Sequence, residues 1–420
     1  MKSETIQRLK KNNLLVIDKV NYMNVCSELM YDTSFVRLLR LFIYALFYSH
    51  KISSLSNKNS KVIILYSLAE KKRCDYDEIV TNLSNCLGYD GAHCKIKLKF
   101  NILMPFMLLL SSKRIQIFQL MRAIGFFEGI LLSLLVANYR SHASYIGVTL
   151  KNTKCKTLYT FCDALPIENL ISQIANNLNM TTLTLQHGQY AYNNLIGVSS
   201  ANDESYLNFV SKYICVWGKA TADEFIKAGI AEERILITGS LRNYALNNKR
   251  VLKYSGKLEA RRFGLILSSD SNMNDNIEMI LLANKISEKY GFTYIVRCHP
   301  NNDLGIYNKY FGINISEIVS QVESFEYFDM VDFSLMYMTG VFNEAIAYRA
   351  RFFIFSNKGL LGLYSDLDIT VASLAEFEIK YKAILCADSS LEVYDNLHNY
   401  FNNSVDICGK YRSTVSNLVL

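Results

Sequence analysis

The chain has 420 residues, half of them hydrophobic and one fifth charged. That length and balance suit two or three domains with sizeable cores and exclude a disordered or fibrous protein. Lys+Arg 45 against Asp+Glu 38 leaves a net charge of +7, an excess that suits acidic small molecules, acidic polymers or an anionic membrane surface and does not single out nucleic acid.

The first 13 residues are polar and charged and lack the apolar core of a secretory signal. Ten cysteines occur without a C-x-x-C pair or a zinc-site spacing, so reduced thiols in a cytoplasmic protein are expected, with no disulfide and no metal. Residues 35–48 (FVRLLRLFIYALFY) interleave Arg37 and Arg40 with bulky apolar side chains, and residues 102–139 are nearly all apolar. Charges and Pro105 interrupt the second stretch, so neither makes a clean membrane span. Both fit buried helices of an amino-terminal domain; the alternative is a basic, apolar face lying on the inner leaflet of the cell membrane.

From residue 60 short apolar runs alternate with amphipathic ones. Strands are predicted at 61–66, 144–150, 157–162, 181–185, 213–217 and 234–238, and helices at 166–178, with Pro166 in its first turn, and at 220–228, closed by Gly229. Residues 246–262 are polar and basic and read as a connection. A second series follows, with strands at 263–268, 292–297, 330–335 and 351–355 and helices at 274–290 and 340–348. Such alternation implies parallel sheets covered by helices. The expected fold is α/β, two doubly wound Rossmann-like domains facing across a cleft. The expected division is 1–248 with a helical elaboration near 100–140, a linker at 249–262, a second domain at 263–400, and a segment 401–420 returning to the first.

Two of the six histidines follow predicted strands directly, in Gln186-His187-Gly188 and Arg297-Cys298-His299-Pro300. In open parallel sheets ligands bind beyond the carboxyl ends of the strands, so both imidazoles are candidate site residues. Asp163, at another strand end, is a competing base or a cap for the helix at Pro166. Thr339 and Gly340 open a helix whose free amides can hold an anion. Ser268, Ser269 and Ser271 follow the first strand of the second series, where they fit a phosphate contact or a plain turn.

The series LQHG, VWG, ITGSLRN, RCHP and TGVFNEAIAY, spread over about residues 155–360, resembles the GT-B transferases of bacterial surface polysaccharide synthesis. It is similar to the CDP-glycerol glycerophosphotransferase-like group and to HP-motif sialyl- and Kdo-transferases. The resemblance implies an inverting, metal-independent transferase without a cofactor. Its donor would be a CMP-sugar or CDP-alditol, and its acceptor an oligosaccharide or lipid-linked chain of a capsule or O-antigen. It makes His187 the base for the acceptor hydroxyl. It sets His299, with Arg297 beside it, on the donor phosphate, and Glu344 on the ribose. Ser240, Arg242 and Gln186 become possible phosphate or acceptor contacts. Gln186 and Leu241 depart from the glycerophosphotransferase pattern, which favours glycosyl transfer; a nucleotide-sugar 2-epimerase and a non-catalytic membrane scaffold are the alternatives.

Overall fold

The computed structural model describes residues 3–11, 15–30, 34–52, 62–67, 74–88, 91–105, 117–190, 192, 201–244, 261–319, 322–337, 339–356, 367–385, 390–402 and 406–419. Most of the predicted connection at 246–262 lies outside them, as does the side chain of Ser271.

A small hairpin of β1 (Val16–Ile17) and β2 (Val20–Asn21) precedes the first large sheet. That sheet holds β3 (Tyr48–Ile52), β4 (Val62–Ser67), β5 (Gly91–Phe100), β6 (Thr157–Thr160), β7 (Thr181–Leu185), β8 (Tyr213–Val216) and β9 (Ile235–Ile237). Its order is β3-β5-β4-β6-β7-β8-β9, parallel throughout except that β3 runs antiparallel to β5. The second sheet holds β10 (Arg262–Ile266), β11 (Thr293–Arg297), β12 (Ile315–Val319), β13 (Phe333–Met336), β14 (Phe352–Phe355) and β15 (Thr370–Val371). It is entirely parallel, in the order β12-β11-β10-β13-β14-β15. Numbered from its own first strand this is 3-2-1-4-5-6, the dinucleotide-binding order, with its switch point between β10 and β13. The fold class is therefore the predicted one, with two doubly wound, Rossmann-like units. The central strands β6, β13 and β14 are buried along their whole length, which is why they read as continuous apolar runs rather than alternating ones.

Several expectations are corrected. Residues 144–150 are not a strand but part of the helix Phe126–Lys151. Ile146, Val148 and Thr149 give the segment a β-like composition, yet Ile146 and Leu150 lie four residues apart on one buried helical face. β3, β5, β12 and β15 were not anticipated. β5 reads GAHCKIKLKF, with Lys97 and Lys99 exposed, and β12 is an edge strand with an exposed middle, so neither carries the buried-strand pattern. The absence of disulfides also fails, since Cys86 and Cys408 are joined. They lie 322 residues apart in sequence. Only the return of the helix Ile407–Val419 to the helix Cys74–Leu87 brings them together, assisted by Arg412 Nε donating to the Cys86 carbonyl at 2.6 Å.

The two halves meet closely at Gly218. A Cβ built there would lie 2.3 Å from the carbonyl carbon and oxygen of Phe401, the end of the helix Ser390–Phe401. Backbone cannot yield as a flexible side chain can, so Gly218→Ala is expected to cost about 1–3 kcal/mol in urea unfolding, the usual range for overpacking. An unchanged midpoint and slope would show that the contact is looser than described.

Candidate functional site

His187 stands just beyond β7 on a loop fixed from both sides. Gln186 is buried; its Oε1 accepts the Trp217 amide at 2.8 Å, and its Nε2 donates to the Gly188 carbonyl at 2.8 Å and to Thr221 Oγ1 at 3.2 Å. Its polar atoms are thus spent inward, and the expected ligand contact becomes a positioning role. The His187 ring stacks on Tyr206 with centroids 4.4 Å apart and planes 17° from parallel. Gly188 is required beside that stack, because a Cβ there would lie 2.3 Å from the Tyr206 hydroxyl. The helix Ala201–Leu207 that carries Tyr206 is anchored in turn by buried Glu204, which accepts short hydrogen bonds from Lys10 and Ser27.

Asp163 does not face the cleft. It is fully buried, and its Oδ2 accepts the amides of Val210 at 3.1 Å and Ser211 at 2.6 Å. The helix Pro166–Asn177 has Leu165 at its cap and no side-chain cap bond. Asp163 is therefore neither the acceptor base nor a helix cap; it clamps the chain entering β8. Burial pushes its carboxyl up to about 6, against the lowering pull of Ser211, Val210 and Thr184.

In the second half the loops after β10 and β11 share one polar network. Asp270 Oδ1 accepts from Asn302 Nδ2 at 2.8 Å and from the Tyr307 hydroxyl at 2.7 Å, and its Oδ2 accepts the Asp303 amide at 2.9 Å. Burial raises this carboxyl, but those three donors outweigh it and leave Asp270 below the usual range. Asn302 Oδ1 accepts the His299 amide at 2.7 Å, and His299 Nδ1 accepts the Asn301 amide at 3.2 Å. The neutral imidazole is thereby left with its proton on Nε2. Ser268 is buried: Asn276 and Asn302 bind its backbone and Asn272 donates to its hydroxyl, so it supports the loop from below. Ser269 precedes the short 3-10 turn Asp270–Asn272 and is partly exposed. Arg297 donates to the Val322 carbonyl at 3.1 Å and lies 5.8 Å from the Tyr327 ring centroid. These contacts tie it to its own half of the molecule.

At the seam between the sheets the predicted segments converge. The helix Val341–Tyr348 starts beside β13, capped at Gly340, and Thr339 Oγ1 accepts the Val341 amide at 3.3 Å. Arg242, following buried Ser240, lies 3.6 Å from Glu344 across the seam. Asn343 Nδ2 donates to Gln189 Oε1 at 3.1 Å, joining that helix to the His187 loop. Desolvation, then repulsion from Glu323 and Glu344, raises the Glu78 carboxyl on the opposite helix, with Arg242 opposing. Arg242 thus acts on two carboxylates, Glu344 and Glu78. The structure brings together His187, Gln186, Ser240, Arg242, Gly340 and Glu344 around this seam. It groups Ser268, Ser269 and His299 at the neighbouring strand ends, and removes Asp163.

Sequence reasoning missed Asp270, Asn276, Asn302 and Tyr307 in the network, and Tyr206, Gln189 and Asn343 at the seam. Asp270 lies within the Ser-Ser-Asp-Ser loop and Asn302 three residues after His299, a spacing that signals a turn; the others carry no local signal. Among the described residues no group of three or more His, Cys, Asp or Glu is placed to hold a metal ion.

No family model and no curated protein matches the sequence. Solved structures do. The S. aureus MnaA–UDP co-structure superposes with a TM-score of 0.51 at 10% identity, covering 86% of this chain and 96% of that one. A UDP-N-acetylglucosamine 2-epimerase superposes at 0.50 with 14% identity and the same coverage. At such identities the likeness concerns the fold, and that fold is GT-B.

The Asp163 clamp yields a signed pH dependence. With its folded pKa near 6 above the ordinary carboxyl value, its contribution is greatest below about pH 4 and is lost as pH rises through 6. Asp163→Asn keeps an acceptor for both amides and removes the titration. Relative to wild type it is expected to gain stability between pH 4 and pH 7 in thermal unfolding; a constant difference would contradict the shifted pKa.

Proposed function

We propose that this protein is a GT-B enzyme acting on a nucleotide-activated sugar, and that it transfers the sugar to a hydroxyl acceptor with inversion. The observation that carries the reading is the second sheet. Its switch point is flanked by the loop from Ser268 to Asp270 and by the Thr339–Gly340 turn, directly across from the His187 loop. The amino end of the helix Val341–Tyr348 turns the positive end of its dipole toward a donor phosphate. His299 Nε2–H supplies a further neutral donor as charge develops on the leaving nucleotide. Glu344 lies one turn into that helix, where it can accept from ribose hydroxyls if Arg242 yields. The acceptor hydroxyl attacks the anomeric carbon, its proton passes to His187, and the bond to the phosphate oxygen breaks with its electron pair leaving on the nucleotide. Tyr206 holds the His187 ring at the angle this transfer needs.

The donor base, the acceptor polymer and the division into an acceptor domain and a donor domain near residues 249–262 belong to this reading as its finer parts. Resemblance of the motifs favours a cytidine donor, a CMP-sugar before a CDP-alditol, and a capsule or O-antigen acceptor. A second reading, a nucleotide-sugar 2-epimerase, is favoured by the fold likeness to an epimerase chain and to a UDP complex. Consumption or isomerisation of the nucleotide sugar without any acceptor separates the two.

His187→Ala is expected to lower kcat by about 10²–10⁴-fold, the usual weight of a general base, with nucleotide affinity unchanged in a thermal-shift panel of CMP, CDP, UDP, GDP and ADP. His299→Ala is expected to raise KM for the nucleotide sugar and to weaken that stabilisation. Full activity in both variants would remove these roles, and no shift with any nucleotide in the wild type would remove the reading itself.

A further inference from the structure

The net charge of the chain is unevenly distributed. Residues 33–69 and 91–127 hold eleven Lys and Arg and no Asp or Glu, leaving 34 basic and 38 acidic residues for the remainder. The positive balance of the protein therefore comes from two segments; β3 of the first pairs with β5 of the second, Tyr48 opposite Phe100.

These segments also expose apolar surface. The helix Phe35–Phe47 packs one stripe, Leu38, Leu41 and Ala45, into the amino-terminal core. A second stripe on the same helix, Phe35, Leu39 and Phe42, faces solvent, Phe35 being 81% exposed. A soluble helix with one buried stripe ordinarily turns polar residues outward. Alongside, Phe100 stacks on Phe47 with centroids 6.0 Å apart yet is 65% exposed, and Ile102 and Leu103 beyond it are 71% and 62% exposed. Arg40 stands out to solvent on the flank of the exposed helical stripe, and Lys97 and Lys99 stand out on β5, on the other face of the strand from Phe100.

We infer that this face docks on an anionic lipid bilayer, with the apolar stripe entering the headgroup boundary and the basic side chains on lipid phosphates. The charge pattern selects this occupant. A second copy of the chain would set like charges against each other, whereas an acidic lipid surface is complementary and also accepts the aromatic and aliphatic tips. The helix has 13 residues and is about 20 Å long, too short for a hydrocarbon core of about 30 Å. Among the described residues no helix is long and apolar enough to cross a membrane, so the contact is interfacial. This inference is independent of the catalytic reading.

The test is co-sedimentation of the full-length protein with vesicles of phosphatidylglycerol and phosphatidylethanolamine, against vesicles of phosphatidylcholine alone. Binding to the first and not the second is expected, weakening as salt rises. Arg40→Gln is expected to lower the affinity by roughly fivefold, the weight of one charge near the surface. Phe35→Ser with Leu39→Ser, changes at exposed positions that leave the circular dichroism intact, is expected to abolish it. Equal binding to both vesicles, or by the arginine variant and wild type, would overturn the inference. So would a wild type that ignores vesicles, whether it stays monomeric or forms a dimer that Phe35→Ser with Leu39→Ser dissociates.

Discussion

The contact on which the site depends is the hydrogen bond from Asn343 to Gln189, because it joins the helix at the switch point of the second sheet to the loop that carries His187. Asn343 is fully buried, and its carbonyl also accepts from Asn402 Nδ2 at 2.9 Å. A buried amide bond of this kind contributes only about 1 kcal/mol net, but leaving one partner unpaired costs roughly 1–3 kcal/mol. The two halves are therefore held less by the strength of the contact than by the penalty for separating it without water entering.

A second pattern runs beneath the reactive side chains. Each predicted site residue that reaches the seam rests on neighbours that fix its direction: His187 on Tyr206 and the Gln186 loop, His299 on Asn301 and Asn302, Glu344 on Arg242 and Ser324. Asp270 gathers three donors and so pins the turns after β10 and β11 to each other. The field at the seam is mixed in sign. Arg242 pairs with Glu344 and also opposes the rise of the Glu78 carboxyl, so its charge is shared between two carboxylates.

Much of this was legible in the sequence, for identifiable reasons. Strands buried on both faces announce themselves as uncharged runs of β-branched, aromatic and aliphatic residues, so TLYT, TTLTL, FSLM and FFIF were found together with the parallel order they imply. What escaped was of two kinds. Strands that expose charges lack the run, as do β5, next to the edge of the first sheet, and β12, at the edge of the second. Long-range polar partners have no local pattern: Asp163 reads as a cap because Val210 and Ser211 are 47 and 48 residues away. The Cys86–Cys408 bond escaped for the same reason. The exposed apolar helix was visible as a choice between core and surface, and its structure divides it, one stripe for each.

The most direct test of the central claim, a nucleotide-sugar site at the seam of two Rossmann-like sheets, is amide hydrogen exchange of the intact protein with and without a nucleotide or nucleotide sugar that binds it. The account predicts slowed exchange at residues 339–344, after β13, and at 299–303, after β11, together with a change at 186–190 across the cleft. Protection confined to surfaces away from these three segments would contradict it.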